Sequence, residues 1–236
     1  MCGRVVVVRS AHLLAAELDV DEVVAPELPS RWNVAPGSLV YAIAGTRTGR
    51  RLGTLRWGLV PSWATDPSAG PRPANARMET LVDRPHFAGA LAARRCVVPV
   101  DGFYEWRTAA GGAREPWFLD SPDGTPLAIA AVWDRWDGAG GATLVSCALV
   151  TTAANADVAR LHDRMPVFLG AADATDWLDP DCRDEGHLVS LLEPPPVGRL
   201  RARPVSRSVN STANDGPELL APPDPPSEPV ATLFEG

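Results

Sequence analysis

Lysine is absent from this sequence, because all 22 basic residues among its 236 are arginines. A Schiff-base enzyme that depends on a lysine side chain is therefore excluded, and the remaining amine nucleophile is the α-amino group of the N-terminus. Cysteine is scarce as well. The four cysteines show no C-x-x-C spacing, which argues against a disulfide framework and a zinc site, so we expect neither a metal nor a cofactor.

Long apolar runs are missing too. The longest aliphatic run covers residues 5–8 and is enclosed by Arg4 and Arg9, far short of the ~20 apolar residues of a membrane helix. The same run is too short for a signal peptide, so we expect a cytoplasmic protein with no membrane partner. An apolar content of 45% with 22% charged residues predicts a globular chain.

Negative charge dominates the sequence, with a net charge of −7, but it is unevenly distributed. Residues 28–100 hold 10 arginines against 3 acidic residues, whereas residues 108–236 hold 9 against 19. An anionic partner could bind a surface formed by the arginine-rich middle of the chain. Ordinary scatter of charges explains the same counts equally well.

Strands and short helices are predicted to alternate irregularly, without the βαβ rhythm of a parallel sheet. A helix that begins at a Ser10 cap and runs through about residue 18 places Leu13, Leu14 and Leu18 on one face. Residues 96–100 and 103–107 are predicted strands around a turn at Asp101 and Gly102. This pattern favours an α+β domain of curled, mainly antiparallel sheets.

Loops and the chain end complete this prediction. Residues 31–37 and the Pro/Gly-rich residues 64–75 are predicted loops, and residues 155–161 a helix. Residues 218–236 contain too little apolar material to fold, so we expect one domain over residues 1–217 followed by a proline-rich disordered tail.

Cys2 carries the most chemical information. Methionine is normally removed when the second residue is small, so we expect the mature chain to begin with cysteine. A free α-amine and a thiol on adjacent carbons then form a 1,2-aminothiol. The amine condenses with an aldehyde to an imine, and the thiol closes a stable five-membered thiazolidine. By itself, Cys2 could equally occupy this position by accident.

Other residues suit catalysis or binding, and each has a purely structural alternative. Glu105 lies between two aromatic residues, where burial would suit it to proton transfer, although it could face water at a sheet edge. His162 could shuttle protons or only donate structural hydrogen bonds. Asn75 and Arg77 could hold a sugar and a phosphate or cap a loop, and Trp63 could stack on nucleobases or fill the core.

Several motifs occur together in one order, and this combination is highly specific. From residue 1 to about residue 218 the chain resembles the SRAP family, the SOS-response-associated peptidases or abasic-site processing proteins. One departure from the family is the tryptophan of the second motif, where tyrosine is common. The motifs are MCGR, RWNVAPG, LRWGLVPSW, ANARMET, RRCVVPVDGFYEW, TTAAN, HDRMPV and VSRSVNSTANDGPEL.

The resemblance implies a barrel-like core with peripheral short helices, and a monomer that cross-links itself to abasic sites in single-stranded DNA or at single-strand/duplex junctions. It implies that Cys2 is the covalent nucleophile and that Asn75, Glu105 and His162 complete the catalytic site. It also implies an association with the nucleoid when the protein is bound to DNA. The residues assigned to DNA binding are Arg4, Asn33, Trp63 and Arg77.

Two other functions remain open from the residues. A cysteine nucleophile with asparagine, glutamate and histidine nearby also resembles an N-terminal-nucleophile peptidase or amidohydrolase, for which removal of Met1 would be the minimal reaction. A non-catalytic shield that binds single-stranded DNA is the third option. AP-lyase cleavage of the DNA strand would be a further activity of the first option.

Overall fold

The computed structural model describes residues 2–223, within which thirteen strands and four short α-helices are formed. The strands are β1 Val5–Val7, β2 Glu22–Val23, β3 Arg31–Val34, β4 Leu39–Thr46, β5 Gly49–Trp57, β6 Asn75–Arg77, β7 Arg95–Val100, β8 Gly102–Thr108, β9 Arg114–Asp120, β10 Leu127–Asp137, β11 Thr143–Ala153, β12 Arg164–Pro166 and β13 Arg201–Pro204. The helices are α1 Ala11–Glu17, α2 Ala88–Ala93, α3 Ala171–Leu178 and α4 Glu185–Ser190.

Five strands close into a barrel in the order β5-β4-β7-β10-β11. Their neighbours pair in antiparallel fashion, and a parallel pairing of Ser146 and Cys147 of β11 with Arg56 and Trp57 of β5 closes the circle. The short strands β2, β6 and β12 extend this sheet. Closure leaves the central strands without a free edge, and every residue of β7 is buried.

A second, antiparallel sheet has the strand order β13-β9-β8-β1-β3. The chain passes from the barrel into this sheet at Asp101, between β7 and β8. Asp101 accepts a hydrogen bond from the Val8 backbone N–H at 2.6 Å. A Cβ at Gly102 would meet Phe118 at 2.3 Å, so only glycine fits at this crossing. The fold confirms the predicted α+β barrel with short helices.

The predicted strands on both sides of residues 101–102 are present, but they do not pair with each other as a tight turn would imply, because β7 and β8 belong to different sheets. The loop predicted over residues 31–37 is also wrong at its start, since residues 31–34 form β3 and pair with β1. Residues 156–161 form successive turns rather than the helix predicted over residues 155–161. In the first two segments, strand pairing overrides the local sequence signal.

Helix α1 begins as predicted, since the Ser10 side chain accepts the Leu13 backbone N–H at 3.2 Å. Only part of its expected apolar face is correct: Leu14 is buried, but Leu13 is 47% exposed. Near the end of the chain, Leu219 is buried, so packing continues slightly beyond the predicted boundary at residue 217. That boundary and the tail stay predictions, because residues 224–236 lie outside the described residues.

No helix among residues 2–223 has the length and apolar character required to cross a membrane.

Candidate functional site

Cys2 lies where the barrel and the second sheet meet. It lies three residues before the start of β1 in the second sheet and is completely buried. From the barrel side, the Asn75 side-chain amide of β6 donates a hydrogen bond to the Cys2 carbonyl oxygen at 2.9 Å. Strand β6 is itself fixed by parallel pairing with β11, with Asn75 opposite Leu149. The nucleophile candidate is therefore held by both layers of the fold.

The environment of Cys2 keeps its thiol protonated. Burial raises the pKa of the Cys2 thiol far above its ordinary value, and the negative charge of Glu105 raises it further. The Arg4 backbone N–H donates to the sulfur and acts in the opposite direction as a smaller effect. Because Glu105 interacts directly with the thiol's charge, these two groups form one electrostatic unit.

Glu105 is 1% exposed and lies in β8. Its direct partner across the β8–β9 pair is Trp117, so both side chains point to the same face of the sheet. Phe103, two residues earlier, shares this face and belongs to the apolar cluster that also contains Cys2. Alternation along the strand therefore directs Glu105 toward Cys2 and the barrel.

The two polar side-chain atoms of Asn75 differ in their hydrogen bonding among residues 2–223. Its Nδ2 donates to Cys2, whereas its Oδ1 is buried and has no hydrogen-bond partner among residues 2–223. Buried acceptors are nearly always satisfied in folded proteins. An unsatisfied amide oxygen beside the candidate nucleophile therefore indicates a position for a donor from a reactant.

His162 is positioned by its own neighbours. The Arg164 backbone N–H donates to His162 Nδ1 at 2.9 Å, and the Asp163 carboxylate lies 2.7 Å from the same nitrogen. One nitrogen cannot accept and donate at once. The Asp163 side chain is 86% exposed, so the fixed backbone donor defines the arrangement and leaves Nε2 to carry the ring proton.

The loop that carries His162 packs toward the Glu105 face. Arg160, two residues earlier, lies over the Trp117 ring at 5.1 Å, and Trp117 is the cross-strand partner of Glu105. The structure thus brings Cys2, Asn75 and Glu105 together. It brings the His162 loop to the same sheet face, where the imidazole ring itself contacts Asp163 and Arg164.

An open cavity of about 440 Å³ reaches this site from the surface. Its lining includes Glu105 and Gly3, the neighbour of Cys2, and its wall contains a tryptophan between polar and cationic side chains. The Trp106 indole donates to Asn210 at 2.7 Å. The cavity is lined by Gly3, Arg4, Glu105, Trp106, Arg114 and Asn210.

Arg4 and Asn33, both predicted to bind DNA, contact each other. Arg4 donates to Asn33 Oδ1 at 2.6 Å and to the Val209 carbonyl at 3.0 Å, and burial lowers the pKa of its guanidinium. Asn33 is 1% exposed and donates to the carbonyls of Val209, Ser211 and Asn214. Asn33 therefore fixes Arg4 and the C-terminal segment, and its direct contact with DNA stays a prediction.

Arg77 and Trp63 lie at the surface. Arg77 is exposed on β6, two residues beyond Asn75. Trp63 is 59% exposed, makes an edge-to-face contact with His86 and borders a separate cavity of about 270 Å³ along the Pro/Gly-rich loop. Exposure rules out the alternative that Trp63 is a core residue. DNA binding by both residues stays a prediction.

Two wall residues, Arg114 and Asn210, are missing from the sequence-based site. Their approach to Trp106 depends on pairing across 8 and 104 positions, for which neither residue carries a local signal. The sequence offers one signal for Asn210, its position within the VSRSVNSTANDGPEL motif, and none for Arg114. No group of three or more histidine, cysteine or acidic side chains suited to a metal occurs within residues 2–223.

The fold and the site together define a class of protein. A closed barrel is joined to an antiparallel sheet, and a buried cysteine ahead of the first strand interacts with a glutamate and an asparagine. The profile of the family described as SOS response associated peptidase (SRAP) matches residues 1–212. The chain belongs to this family.

Named relatives cover most of the chain. The abasic site processing protein YoqW of Bacillus subtilis is 35% identical over 221 residues, which are 93% of this chain and 99% of the relative. The abasic site processing protein YedK of Escherichia coli is 30% identical over 231 residues, 94% of this chain and 100% of the relative. The longer Gallus gallus protein HMCES is 34% identical over 197 residues, 73% of this chain and 58% of its own.

Solved structures show the same fold. A Bacteroides thetaiotaomicron protein superposes with a TM-score of 0.83 at 22% identity, covering 94% of this chain and 99% of its own. A Bordetella bronchiseptica protein gives a TM-score of 0.74 at 26% identity, covering 87% of this chain and all of the other. At 22% identity, the similarity to the Bacteroides thetaiotaomicron structure shows the fold alone.

Proposed function

We propose that this protein processes abasic sites in DNA by covalent capture of the lesion through Cys2. The observation that carries the proposal is the placement of Cys2 between a buried carboxylate, Glu105, and an asparagine, Asn75, whose amide oxygen is buried and unsatisfied. The names of the relatives, abasic site processing proteins, support the same substrate. The cytoplasm is the expected location, on the nucleoid when DNA is bound.

The reaction begins once Met1 is removed and Cys2 carries a free α-amine. The amine nitrogen bonds to the C1′ aldehyde carbon of the ring-opened deoxyribose, and the carbonyl oxygen leaves as water. The thiol sulfur then bonds to the imine carbon while its proton passes to nitrogen, closing the thiazolidine. One water is released overall, and no external oxidant or reductant is consumed.

The surrounding residues suit the individual proton transfers. Glu105, buried beside the thiol, can donate a proton for ring opening and water loss and can accept the thiol proton before sulfur attack. Asn75 holds the Cys2 carbonyl and offers its Oδ1 to the α-amine or a sugar hydroxyl. His162, with Nε2 directed by the Arg164 contact, is assigned to β-elimination or to reopening of the adduct.

Single-stranded DNA, alone or at a junction with duplex, is the expected partner of the monomer. Arg77 lies exposed near Asn75 and can bind a backbone phosphate. Trp63 offers an exposed aromatic face on which an unpaired base can stack. The bases of a continuous duplex are already stacked on each other and are not available for this contact.

The decisive experiment combines mass spectrometry of the mature protein with an oligonucleotide that carries one abasic site. Wild type is expected to give a heat-stable adduct on Cys2, with the mass of the two components minus one water. Cys2→Ala is expected to give none, and Cys2→Ser only an imine that borohydride can trap. His162→Ala is expected to form the adduct but release it at least about tenfold more slowly.

An undiminished adduct in Cys2→Ala would contradict the proposal. If His162→Ala blocks formation and leaves release unchanged, the role assigned to His162 is wrong. The family description supports a second candidate, peptide hydrolysis, of which removal of Met1 would be the simplest case. In the same experiment this candidate predicts a cleaved peptide and no DNA adduct, and a passive shield predicts neither product.

A further inference from the structure

We propose that Arg114 binds a phosphate next to the abasic sugar, on a platform formed by Trp106 and held by Asn210. This inference rests on the proposed function, because it assigns a DNA contact to the cavity that leads to Cys2. It adds a binding residue that lies outside the sequence-based site.

Arg114 has no carboxylate partner among the described residues, 2–223. It is exposed at the start of β9, and its guanidinium carbon lies 5.7 Å from the centre of the Trp106 ring. Within residues 2–223 its guanidinium forms no ion pair. Stacking on an indole fixes a guanidinium plane while its N–H groups stay available, which prepares them for the oxygens of a phosphate.

The same pair of strands contains a contrasting arginine. Arg107 of β8 also stacks on a tryptophan, with its guanidinium carbon 5.2 Å from the centre of the Trp117 ring. Glu115, however, accepts two hydrogen bonds from Arg107, the shorter at 2.7 Å. Arg107 is therefore neutralised, whereas Arg114 retains its charge for a ligand.

The platform under Arg114 is fixed from the other end of the chain. The Trp106 indole N–H donates to Asn210 Oδ1 at 2.7 Å. Arg4 lies 5.9 Å from the same ring centre, but its Nη1 already donates to Asn33 and Val209. Trp106 therefore carries two arginines, of which Arg114 has the greater freedom to bind an external anion.

The location of this platform identifies the anion. Arg114 and Glu105 line one cavity, which also reaches Gly3 beside Cys2. When C1′ of the lesion is bonded to Cys2, the phosphates on C3′ and C5′ of the same sugar must lie close to the cavity wall. Two arginines against one carboxylate give this wall a net positive charge, which favours a phosphodiester.

The first test measures non-covalent binding in the Cys2→Ala background, where no adduct forms. The probe is a fluorescent single-stranded oligonucleotide containing one tetrahydrofuran abasic analogue, titrated at several salt concentrations. Arg114→Ala is expected to weaken binding about fivefold and to reduce the slope of log K against log salt by about 0.7. Arg107→Ala is the matched control and is expected to change neither, and Arg114→Lys should restore the slope but not the full affinity.

The second test uses the reactive protein. With an abasic oligonucleotide, Arg114→Ala should raise the half-saturating concentration about fivefold and leave the limiting rate of adduct formation unchanged. With free 2-deoxyribose, an aldehyde source without phosphate, the Arg114→Ala variant should form the adduct at the wild-type rate.

Equal affinities for Arg114→Ala and Arg107→Ala, or an equal loss on 2-deoxyribose, would overturn the assignment. Failure of the proposed function would instead appear as the absence of any wild-type adduct, and the binding test in the Cys2→Ala background would still report on Arg114 separately.

Discussion

Two buried thiols of this protein, Cys2 and Cys147, have the same exposure and very different surroundings. Cys147 lies in β11 at the barrel closure, paired with Trp133 on one side and Trp57 on the other. Burial alone raises the pKa of the Cys147 thiol to about 12. Cys2 is equally buried, but a carboxylate, a side-chain amide and a backbone N–H surround it.

The comparison shows that burial alone does not distinguish the candidate nucleophile from a cysteine in the barrel wall. Both thiols are protonated at neutral pH, because desolvation penalises the thiolate in each case. What differs is access to a proton acceptor: Cys2 has Glu105, whereas the pKa of Cys147 responds to desolvation only. In the proposed reaction, attack by the Cys2 sulfur therefore requires transfer of its proton to a neighbour.

Removing the acceptor is expected to give the largest effect. Glu105→Gln should slow adduct formation by about 100-fold or more, because the amide neither donates nor accepts the proton that the reaction moves. The measurement is a time course of adduct formation with excess abasic oligonucleotide. Glu115→Gln, on the neighbouring strand in an exposed pair with Arg107, is the control and should react at the wild-type rate. An unchanged rate in Glu105→Gln would remove the distinction between the two thiols.

Replacing the cysteine sulfur by a serine oxygen should lower the free energy of unfolding by different amounts at the two positions. Cys147→Ser buries a hydroxyl in an apolar barrel and should lower the free energy of unfolding by about 2 kcal/mol. Cys2→Ser should cost less than about 1 kcal/mol, since Glu105 and the Arg4 backbone N–H can bond the hydroxyl. Urea unfolding of both variants is the measurement. An equal loss of unfolding free energy in the two variants would show that the polar neighbours of residue 2 do not hydrogen-bond the serine hydroxyl.

Alkaline pH should give the most specific difference, because only the titration of the buried thiols is changed. Each thiol keeps its proton when folded and loses it near pH ~8.5 when unfolded, so stability falls as pH rises above that value. Cys147→Ala should reduce this decline by up to about 1.4 kcal/mol per pH unit. Unfolding curves between neutral pH and pH 10.5 are the measurement, and a decline unaffected by Cys147→Ala would contradict the raised pKa of that thiol.

Local signals predicted much of the fold but little of its pairing. The Ser10 cap and the strands around residues 96–107 follow from residue types near each other in sequence, and they are confirmed. The switch between sheets at Asp101 was not predictable, because an Asp-Gly pair between two strands indicates a hairpin. Its actual geometry depends on Phe118, which fills the space beside Gly102.

The candidate site shows the same division. The motifs identify Cys2, Asn75 and Glu105, and the structure brings these three residues together. The chemistry of an aminothiol, however, gives no indication that Cys2 is fully buried, and that burial determines its pKa. Arg114 and Asn210 were missed for a related reason, since their importance arises from contacts with Trp106 that exist only after folding.

The hydrogen bonds of Asn33 and Arg4 to the carbonyls of Val209, Ser211 and Asn214 also determine when this part of the cavity can assemble during translation. The ribosome makes Cys2 and Arg4 first, yet the segment that fixes Arg4 and the Trp106 platform emerges only after residue 210. A nascent chain therefore carries Cys2 and Arg4 until residue 210 has been made, and only then can the wall of the cavity around Arg4 and Trp106 assemble.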